Sequence, residues 1–286
     1  MEGIRNLASA VTRVALLSGA LLSVAVPALA ATVASWTWSN VVAVDTGSVT
    51  FTAGGSPGGC QTVTTSVVSW GSCTDPAERS LVEILGSPAG DPPLLVTSST
   101  TPVPGVSLRH DNNAISTTFK VLSTGTFGSL MTLTPFGGGL PVLIPGGFPI
   151  HFTETVNDPP PPGVGGTCAV GSPPCPDIFT IPLVALTIPF SYDTDGLGPD
   201  PAVTYLLSFS ATGLGPLSAA ACAAAGAPFP CVGIVTLEDT DNIIDTFWEI
   251  HAVVPEPGTL LLLGAGLLGL GLTGWSRSRR KSTKAL

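Results

Sequence analysis

The stretch Trp36-Thr-Trp-Ser-Asn-Val-Val-Ala-Val44 is rich in β-branched and aromatic residues, and it stops at Asp45-Thr46-Gly47. β-branched and aromatic side chains are enriched in strands, whereas Asp and Gly are typical of turns. The stretch therefore predicts a β-strand that ends at a tight turn.

Residues 148–156 give a second strand signal, because Phe148, Ile150 and Phe152 recur with the two-residue period of one strand face. Residues 219–225 are the one segment of the body that predicts a short helix.

Other predicted strands are bounded by turn-forming residues. Residues 106–110 and 115–122 flank Asp111-Asn112-Asn113, which is a plausible hairpin turn. Residues 178–192 give the longest strand signal, and the two prolines within it favour an edge strand or a bend. Many short strands, punctuated by 34 glycines and 28 prolines, predict an all-β fold built as an antiparallel β-sandwich or jelly roll.

The N-terminus predicts an export signal that covers residues 1–30. Arg5 and Arg13 form a positive region, an apolar segment follows, and Ala28-Leu29-Ala30 is a small-x-small cleavage site. We expect signal peptidase to cleave after Ala30, with Ala31 as the alternative site. An uncleaved anchor is the other interpretation of the segment.

Residues 31–253 then form the predicted secreted domain, called the body below. Its basic residues are Arg79, Arg109 and Lys120, against seventeen acidic residues, so its net charge is −14. Such a surface repels phosphate backbones and argues against nucleic-acid binding. It fits a solvated extracellular protein.

Six cysteines lie in the body, and an even number behind a signal peptide indicates disulfides. Fifteen pairings are possible. We favour pairing between neighbours in sequence, because two of the pairs bracket Gly/Pro-containing loops: Cys60–Cys73, Cys168–Cys175 and Cys222–Cys231. A zinc site is disfavoured, since no C-x-x-C motif occurs and no histidine lies near a pair.

Residues 254–286 form a second targeting segment. Pro255-Glu256-Pro257 precedes an uncharged, leucine-rich run over residues 259–275. A helix of that length spans roughly 25 Å, near the lower limit for crossing a bilayer. Basic residues follow, including Arg277, Arg279 and Arg280, and they predict a cytoplasmic C-terminus. A buried core helix is the alternative.

The order of these parts, Pro-Glu-Pro, an apolar span and a basic end, resembles the PEP-CTERM sorting signal of Gram-negative bacteria. The resemblance implies recognition and removal of the tail by exosortase, a membrane protease. The protein would then be anchored transiently in the inner membrane before it reaches the cell surface or the extracellular matrix.

Five stretches of the body resemble the THxN family of PEP-CTERM proteins. They are Val68-Ser69-Trp70-Gly71, Ser80-Leu81, His110-Asp111-Asn112-Asn113, residues 152–157 from Phe152 to Asn157, and Cys175-Pro176-Asp177-Ile178-Phe179. The threonine of the family name is replaced by Arg109 here. The resemblance implies a secreted protein and no established enzymatic activity.

His110 and Asn112 are the candidate motif residues. If they lie on one strand face, an imidazole and a carboxamide could bind sugar hydroxyls. We prefer a turn in which an asparagine adopts the left-handed conformation and His110 caps backbone groups. His110, His151 and His251 are far apart in sequence but could converge on zinc, since sheets bring distant residues together. We prefer a hydrogen-bonded structural histidine at each of the three positions.

Acidic residues offer two further hypotheses. Asp193, Asp195 and Asp200 surround a glycine turn and could bind calcium, although the spacing is not that of an EF-hand. A second acidic cluster consists of Glu238, Asp239, Asp241 and Asp245. For both clusters we prefer a plain solvated turn to a calcium site. Glu154 and Asp158 could form the carboxylate pair of a glycoside hydrolase, but nothing else supports that chemistry.

Taken together, the sequence predicts a non-enzymatic, disulfide-bonded surface or matrix protein with a structural role or a polysaccharide-associated binding role. The alternatives are a secreted hydrolase of an extracellular polymer and a calcium-stabilised adhesion module. Expected partners are signal peptidase, exosortase and an exopolysaccharide. No cofactor is expected apart from possible calcium.

Overall fold

A computed structural model describes residues 31–52, 59–86, 93–116, 118–155, 168, 170–171, 175–194 and 202–253. The predicted signal peptide, its cleavage site and the predicted C-terminal span lie outside these residues. Across the described part of the chain, no helix has the length and apolar character needed to cross a membrane.

The described residues are mostly β, as predicted. In chain order the strands are β1 (Ser35–Val44), β2 (Thr50–Phe51), β3 (Thr62–Val63), β4 (Val67–Gly71), β5 (Arg79–Gly86), β6 (Leu95–Val96), β7 (Val103–Pro104), β8 (Ser107–Asn112), β9 (Leu122–Pro135), β10 (Val142–Thr153), β11 (Asp177–Ile181), β12 (Thr187–Tyr192), β13 (Val203–Ala211), β14 (Gly215–Pro216), β15 (Val232–Thr236), β16 (Thr240–Ile244) and β17 (Thr246–Val253). Two 3₁₀ turns, Pro76–Glu78 and Leu183–Leu186, and one α-helix, α1 (Ala219–Ala224), complete the described elements.

The strands form three antiparallel sheets. The first has the order β14-β15-β11-β10-β9-β1-β6, with β2 also paired to β9. The second has the order β12-β13-β17-β7, and the third has the order β16-β8-β5-β4-β3. The second and third sheets both pack on the first and share one hydrophobic core with it, so the described residues form a sandwich with one long sheet and two shorter ones.

Strand β1 shows why the sequence folds this way. Trp36 and Trp38 are buried, whereas Thr37 between them and Ser39 after them are exposed. This alternation places both tryptophans on the inner face of the first sheet. Trp36 meets Tyr205 of the second sheet edge-to-face, with ring centroids 5.3 Å apart, so the predicted strand supplies a contact between the two layers.

The third sheet covers another part of the first sheet. Trp70 of β4 packs on Phe152 of β10, with ring centroids 5.1 Å apart. His110 of β8 packs on Phe179 of β11, with ring centroids 4.9 Å apart. Phe148, Ile150 and Phe152 are all buried along β10, as their two-residue period predicts. The interface between these two sheets carries the candidate site described below.

The predicted hairpin at residues 111–113 is wrong. Strand β8 continues through Asn112 and is paired on both sides, since Asp111 lies opposite Leu81 of β5 and Asp241 of β16. Most of the predicted strand over residues 115–122 is instead a connection, and the next strand begins at Leu122. Pairing on both edges of β8 outweighs the turn preference of Asp and Asn.

The long strand signal over residues 178–192 is divided between two sheets. Strand β11 ends at Ile181, Pro182 caps the 3₁₀ turn, and β12 then enters the second sheet. Pro189 lies in β12, which is an edge strand. The expected bend and the expected edge position therefore both occur, one at each proline.

Three disulfides join Cys60 to Cys73, Cys168 to Cys175 and Cys222 to Cys231. These are the pairs of neighbours that the sequence favours. The third disulfide ties α1, which contains the buried Cys222, to Cys231 beside β15.

The predicted helix over residues 219–225 forms as α1 and begins with a side-chain cap. Ser218 Oγ accepts a hydrogen bond from the backbone N–H of Ala221 at 3.1 Å. We expect Ser218→Ala to lower the free energy of unfolding by about 1 kcal/mol, because it leaves an N–H at the helix start without its acceptor. Urea unfolding with the disulfides intact measures the change. Ser218→Thr keeps the acceptor and is the control; an equal loss in both variants would contradict the capping role.

Candidate functional site

Three carboxylates meet at one edge of the first sheet. Glu154 follows the end of β10, Asp177 is the first residue of β11, and Glu238 lies just after β15. Because β10, β11 and β15 are antiparallel neighbours, these three strand ends lie at the same edge. One oxygen of each carboxylate lies within 4.8 Å of the others. We call Glu154, Asp177 and Glu238 the carboxylate triad.

The triad is withdrawn from solvent. Asp177 is fully buried and Glu238 is 7% exposed. Glu154 keeps part of its surface exposed, but its Oε1 atom is buried. Asp177 Oδ1 accepts a hydrogen bond from the backbone N–H of Thr155 at 2.9 Å. The carboxylates therefore face the interior, where an uncompensated charge is costly.

Trp70 links the third sheet to the triad. Its indole Nε1–H donates a hydrogen bond to Glu154 Oε2 at 3.0 Å. The tryptophan side chain is fully buried and contacts Phe152 and His110. It therefore satisfies one carboxylate oxygen and also fills the space between the sheets.

His110 and Asn112 reach the site from β8. His110 Nδ1 lies 2.9 Å from Thr236 Oγ1, and Asn112 Nδ2 donates to Glu238 Oε1 at 3.3 Å. Asn112 Nδ2 also lies 3.2 Å from the carbonyl oxygen of Leu237. The two side chains thus fix the end of β15 and the turn that carries Glu238.

A cluster of buried rings lies beside the triad, which the Trp70 indole contacts at Glu154. The His110 ring stands edge-on to Phe152 and Phe179, with centroid separations of 5.7 and 4.9 Å. The Trp70 ring is stacked on His110 at 5.9 Å. Buried apolar rings next to a carboxylate lower the local dielectric constant, which makes an unpaired charge there more costly.

Burial and mutual repulsion act together on the carboxyl groups. Burial raises the pKa of Glu154 to about 8, the hydrogen bond from Trp70 opposes this, and the charge of Glu238 adds to it. Burial also raises the pKa of Asp177 well above its usual value, with further contributions from the charges of Glu154 and Glu238. Like charges that share one buried site disfavour ionisation of all of them.

Burial moves the pKa of His110 in the opposite direction, down to about 3. The imidazole is therefore neutral at physiological pH and supplies no positive charge to the triad. Two of the body's basic side chains make contacts elsewhere. Arg79 donates to Ser69 Oγ at 2.9 Å, and Arg109 pairs with Glu83 at 2.9 Å.

The structure corrects both interpretations of His110 and Asn112. Each side chain is fully buried, so neither is open to a sugar in solvent. Both lie on a paired strand, so neither belongs to a turn that caps backbone groups. Their alternation places them on the same inner face of β8, where they contact Thr236 and Glu238.

The second acidic cluster is divided by the fold. Asp239, Asp241 and Asp245 are exposed, but Asp241 lies on β16 rather than in a turn, and Glu238 is buried in the triad. Of the predicted calcium loop, Asp193 follows β12, and Asp195 and Asp200 lie outside the described residues. Asp158, the proposed partner of Glu154, lies outside them as well.

The histidines do not form a metal group in the described chain. Among the described residues, the carboxylate triad is the group that could hold one metal ion, and it contains no histidine. His151 is exposed on β10, and His251 Nε2 lies 3.3 Å from Glu249 Oε2.

The sequence alone did not single out Asp177, Trp70 or Thr236. A signal was present, however, because four of the five THxN-like stretches converge on the site: the ones that contain Trp70, His110, Glu154 and Asp177. Each is unremarkable in isolation, and the antiparallel pairing of the first sheet brings them together.

Comparison with known proteins identifies one element. Residues 253–280 match the PEP-CTERM protein-sorting motif. A search of curated proteins finds no match to the chain. The motif implies an exported protein that is sorted by exosortase and reaches the cell surface or the extracellular space.

Proposed function

We propose that this chain is a structural or binding component of the bacterial surface or extracellular matrix, associated with exopolysaccharide. The observation that carries the proposal is the sorting motif at residues 253–280, placed directly after a disulfide-bonded β-body. Disulfides persist in oxidising compartments, which agrees with a body that works outside the cytoplasm.

In this proposal the tail acts twice. Its apolar run first holds the exported chain in the inner membrane. Exosortase then recognises Pro255-Glu256-Pro257 and removes the span, so that the body is released. The acidic body would repel acidic polymers, which favours direct association with a neutral polysaccharide.

The proposed role is non-enzymatic. A hydrolase needs polar groups that converge in an accessible cleft. The polar groups that do converge here, His110, Asn112 and Asp177, are fully buried beneath aromatic rings, which suits a structural task better. Incubation of the released body with polymer from the host distinguishes the two: sedimentation with intact polymer supports binding, and new reducing ends would support hydrolysis.

Substitution within the motif tests the sorting step. We expect Pro255→Ala combined with Pro257→Ala to keep most of the chain in the inner-membrane fraction, because the span and basic end remain while the recognition sequence is lost. Cell fractionation of an exosortase-containing host measures the distribution. Ser282→Ala, beyond the matched residues, is the control and should reach the surface normally. Unchanged delivery of the double variant would contradict exosortase sorting through this motif.

A further inference from the structure

The geometry of the carboxylate triad meets the distance requirement of a single cation. One oxygen from each of Glu154, Asp177 and Glu238 lies within 4.8 Å of the other two. Calcium binds oxygen at about 2.3–2.6 Å, so two oxygens on the same ion lie at most about 5 Å apart. One calcium ion can therefore contact all three carboxylates.

Buried oxygens without hydrogen-bond donors are a second, independent observation. Asp177 is fully buried, and its Oδ2 atom receives no hydrogen bond from an N–H or hydroxyl donor among the described residues; its side-chain neighbour is Glu238, which is itself an acid. Asn112, also fully buried, reaches Glu238 through Nδ2, and its own Oδ1 atom is likewise without a donor there. Buried acceptors are nearly always satisfied in native proteins. Several such acceptors in one place point to a bound cation that oxygen atoms coordinate.

The charge of the site points in the same direction. Three carboxylates share a site in which His110 is neutral, while Arg79 and Arg109 contact Ser69 and Glu83. Isolated buried charges are expensive unless they are paired or coordinate a metal. A divalent cation would offset the repulsion among the carboxylates, and protons on some of them are the competing solution.

We propose that Glu154, Asp177 and Glu238 bind one calcium ion between the first and third sheets. Three carboxylate oxygens are the ligands of a hard cation rather than of zinc, which favours nitrogen and sulfur. The buried imidazole of His110 lies outside the group, and its Nδ1 atom already contacts Thr236. This site differs from the loop at Asp193, Asp195 and Asp200.

The proposed ion would join segments that are remote in sequence. Glu154 and Asp177 lie at the ends of β10 and β11, and Glu238 lies in the turn from the first sheet into β16 of the third. A ligand that binds only the folded state raises its stability. Extracellular calcium would therefore stabilise the packing of the first and third sheets at this edge. The inference stands independently of how the chain is sorted.

Calorimetric titration of the full-length chain in detergent is the test, after removal of calcium with EGTA. We expect one calcium per chain, with a Kd in the range of about 10⁻⁴ to 10⁻³ M that is typical of extracellular calcium-binding modules. At a hundredfold excess over Kd, Tm should rise by about 5–10 °C. No heat and no change in Tm would mean that the carboxylates are neutralised by protons alone, and would overturn the proposal.

Isosteric variants assign the site. Asp177→Asn keeps an oxygen for the Thr155 N–H but removes the charge, and should weaken calcium binding at least about tenfold, as loss of a ligand charge does. Asp241→Asn, an exposed position on the neighbouring β16, is the matched control and should bind like the wild type. Calcium binding that survives Asp177→Asn, or that is lost only in Asp193→Asn, would place the ion elsewhere.

Terbium luminescence gives a readout in the unmodified chain, so the proposal does not depend on the folding of a variant. Terbium replaces calcium in oxygen sites and emits when a nearby tryptophan is excited. The Trp70 indole lies 3.0 Å from Glu154 Oε2, so terbium in the triad should be sensitised by it. Excess calcium should abolish the emission. Absence of sensitised emission, or emission that calcium does not displace, would contradict the site.

Discussion

Replacing Trp70 with alanine is expected to lower the free energy of unfolding by about 3–5 kcal/mol. The side chain is fully buried between the first and third sheets, where it contacts Phe152 and His110. Its removal leaves a cavity, and it also deprives Glu154 Oε2 of the indole hydrogen bond. Both effects destabilise the same edge of the sandwich.

Urea unfolding of the two proteins, with the disulfides intact and EGTA present, measures the loss for Trp70→Ala. Trp70→Phe is the matched variant, since it retains most of the apolar contact but has no donor for Glu154. We expect Trp70→Phe to lower the free energy of unfolding clearly less than Trp70→Ala does. A loss below about 1 kcal/mol for alanine would be typical of a surface position and would contradict the packing described here.

Acidification is expected to destabilise the body through His110. Burial holds the pKa of His110 at about 3 in the folded protein, compared with 6.5 for the free side chain. Below pH 6.5 the unfolded chain therefore binds a proton that the folded chain does not. The resulting loss of stability begins as the pH falls below 6.5 and continues to about 3. It amounts to about 2–3 kcal/mol between pH 6 and pH 4.

The neighbouring carboxyl groups titrate with the opposite sign. The pKa of Glu154 is raised from 4.5 to about 8, so its contribution to stability falls as the pH rises through that interval. The pKa of Asp177 is raised as well, so its contribution to stability also falls as the pH rises. Glu238 belongs to the same carboxylate triad. The effect of His110 is therefore measured as a difference between two proteins at each pH.

His110→Gln supplies that difference, because the amide can still reach Thr236 but does not titrate. The wild type should lose more stability than this variant between pH 6 and pH 4 when both are unfolded in urea with EGTA. Equal losses in the two proteins would show that His110 is already protonated in the folded state.

Part of the fold follows from local sequence. The β-branched and aromatic composition of residues 36–44 placed one strand correctly, and the period of Phe148, Ile150 and Phe152 identified the buried face of another. Prolines at 182 and 189 marked a corner and an edge. In each case the signal lies within a few residues, which is the range over which strand period and proline geometry act.

The failed prediction at residues 111–113 shows where local reasoning stops. Asp and Asn favour turns in isolation. Here β5 and β16 pair with both edges of β8, and Asn112 finds its partners near Glu238, more than a hundred residues away in sequence. Such partners are invisible to any short window of sequence.

The carboxylate triad was unpredictable for the same reason. From the sequence, Glu154 is paired with Asp158, Glu238 is assigned to a solvated turn, and Asp177 appears only within a stretch that resembles the THxN family. Their convergence depends on the order in which β10, β11 and β15 pair, which places three strand ends at one edge. The sorting motif, in contrast, is contiguous and could be recognised directly from its residues.

Intact mass spectrometry of the protein recovered from the host's surface and medium tests the central claim most directly. Export and exosortase sorting predict a mass that lacks both ends, with cleavage near Ala30 and near Pro255–Pro257. A mass that retains the residues after Pro257 would contradict that claim, because the chain would then be a resident membrane protein with an external β-body.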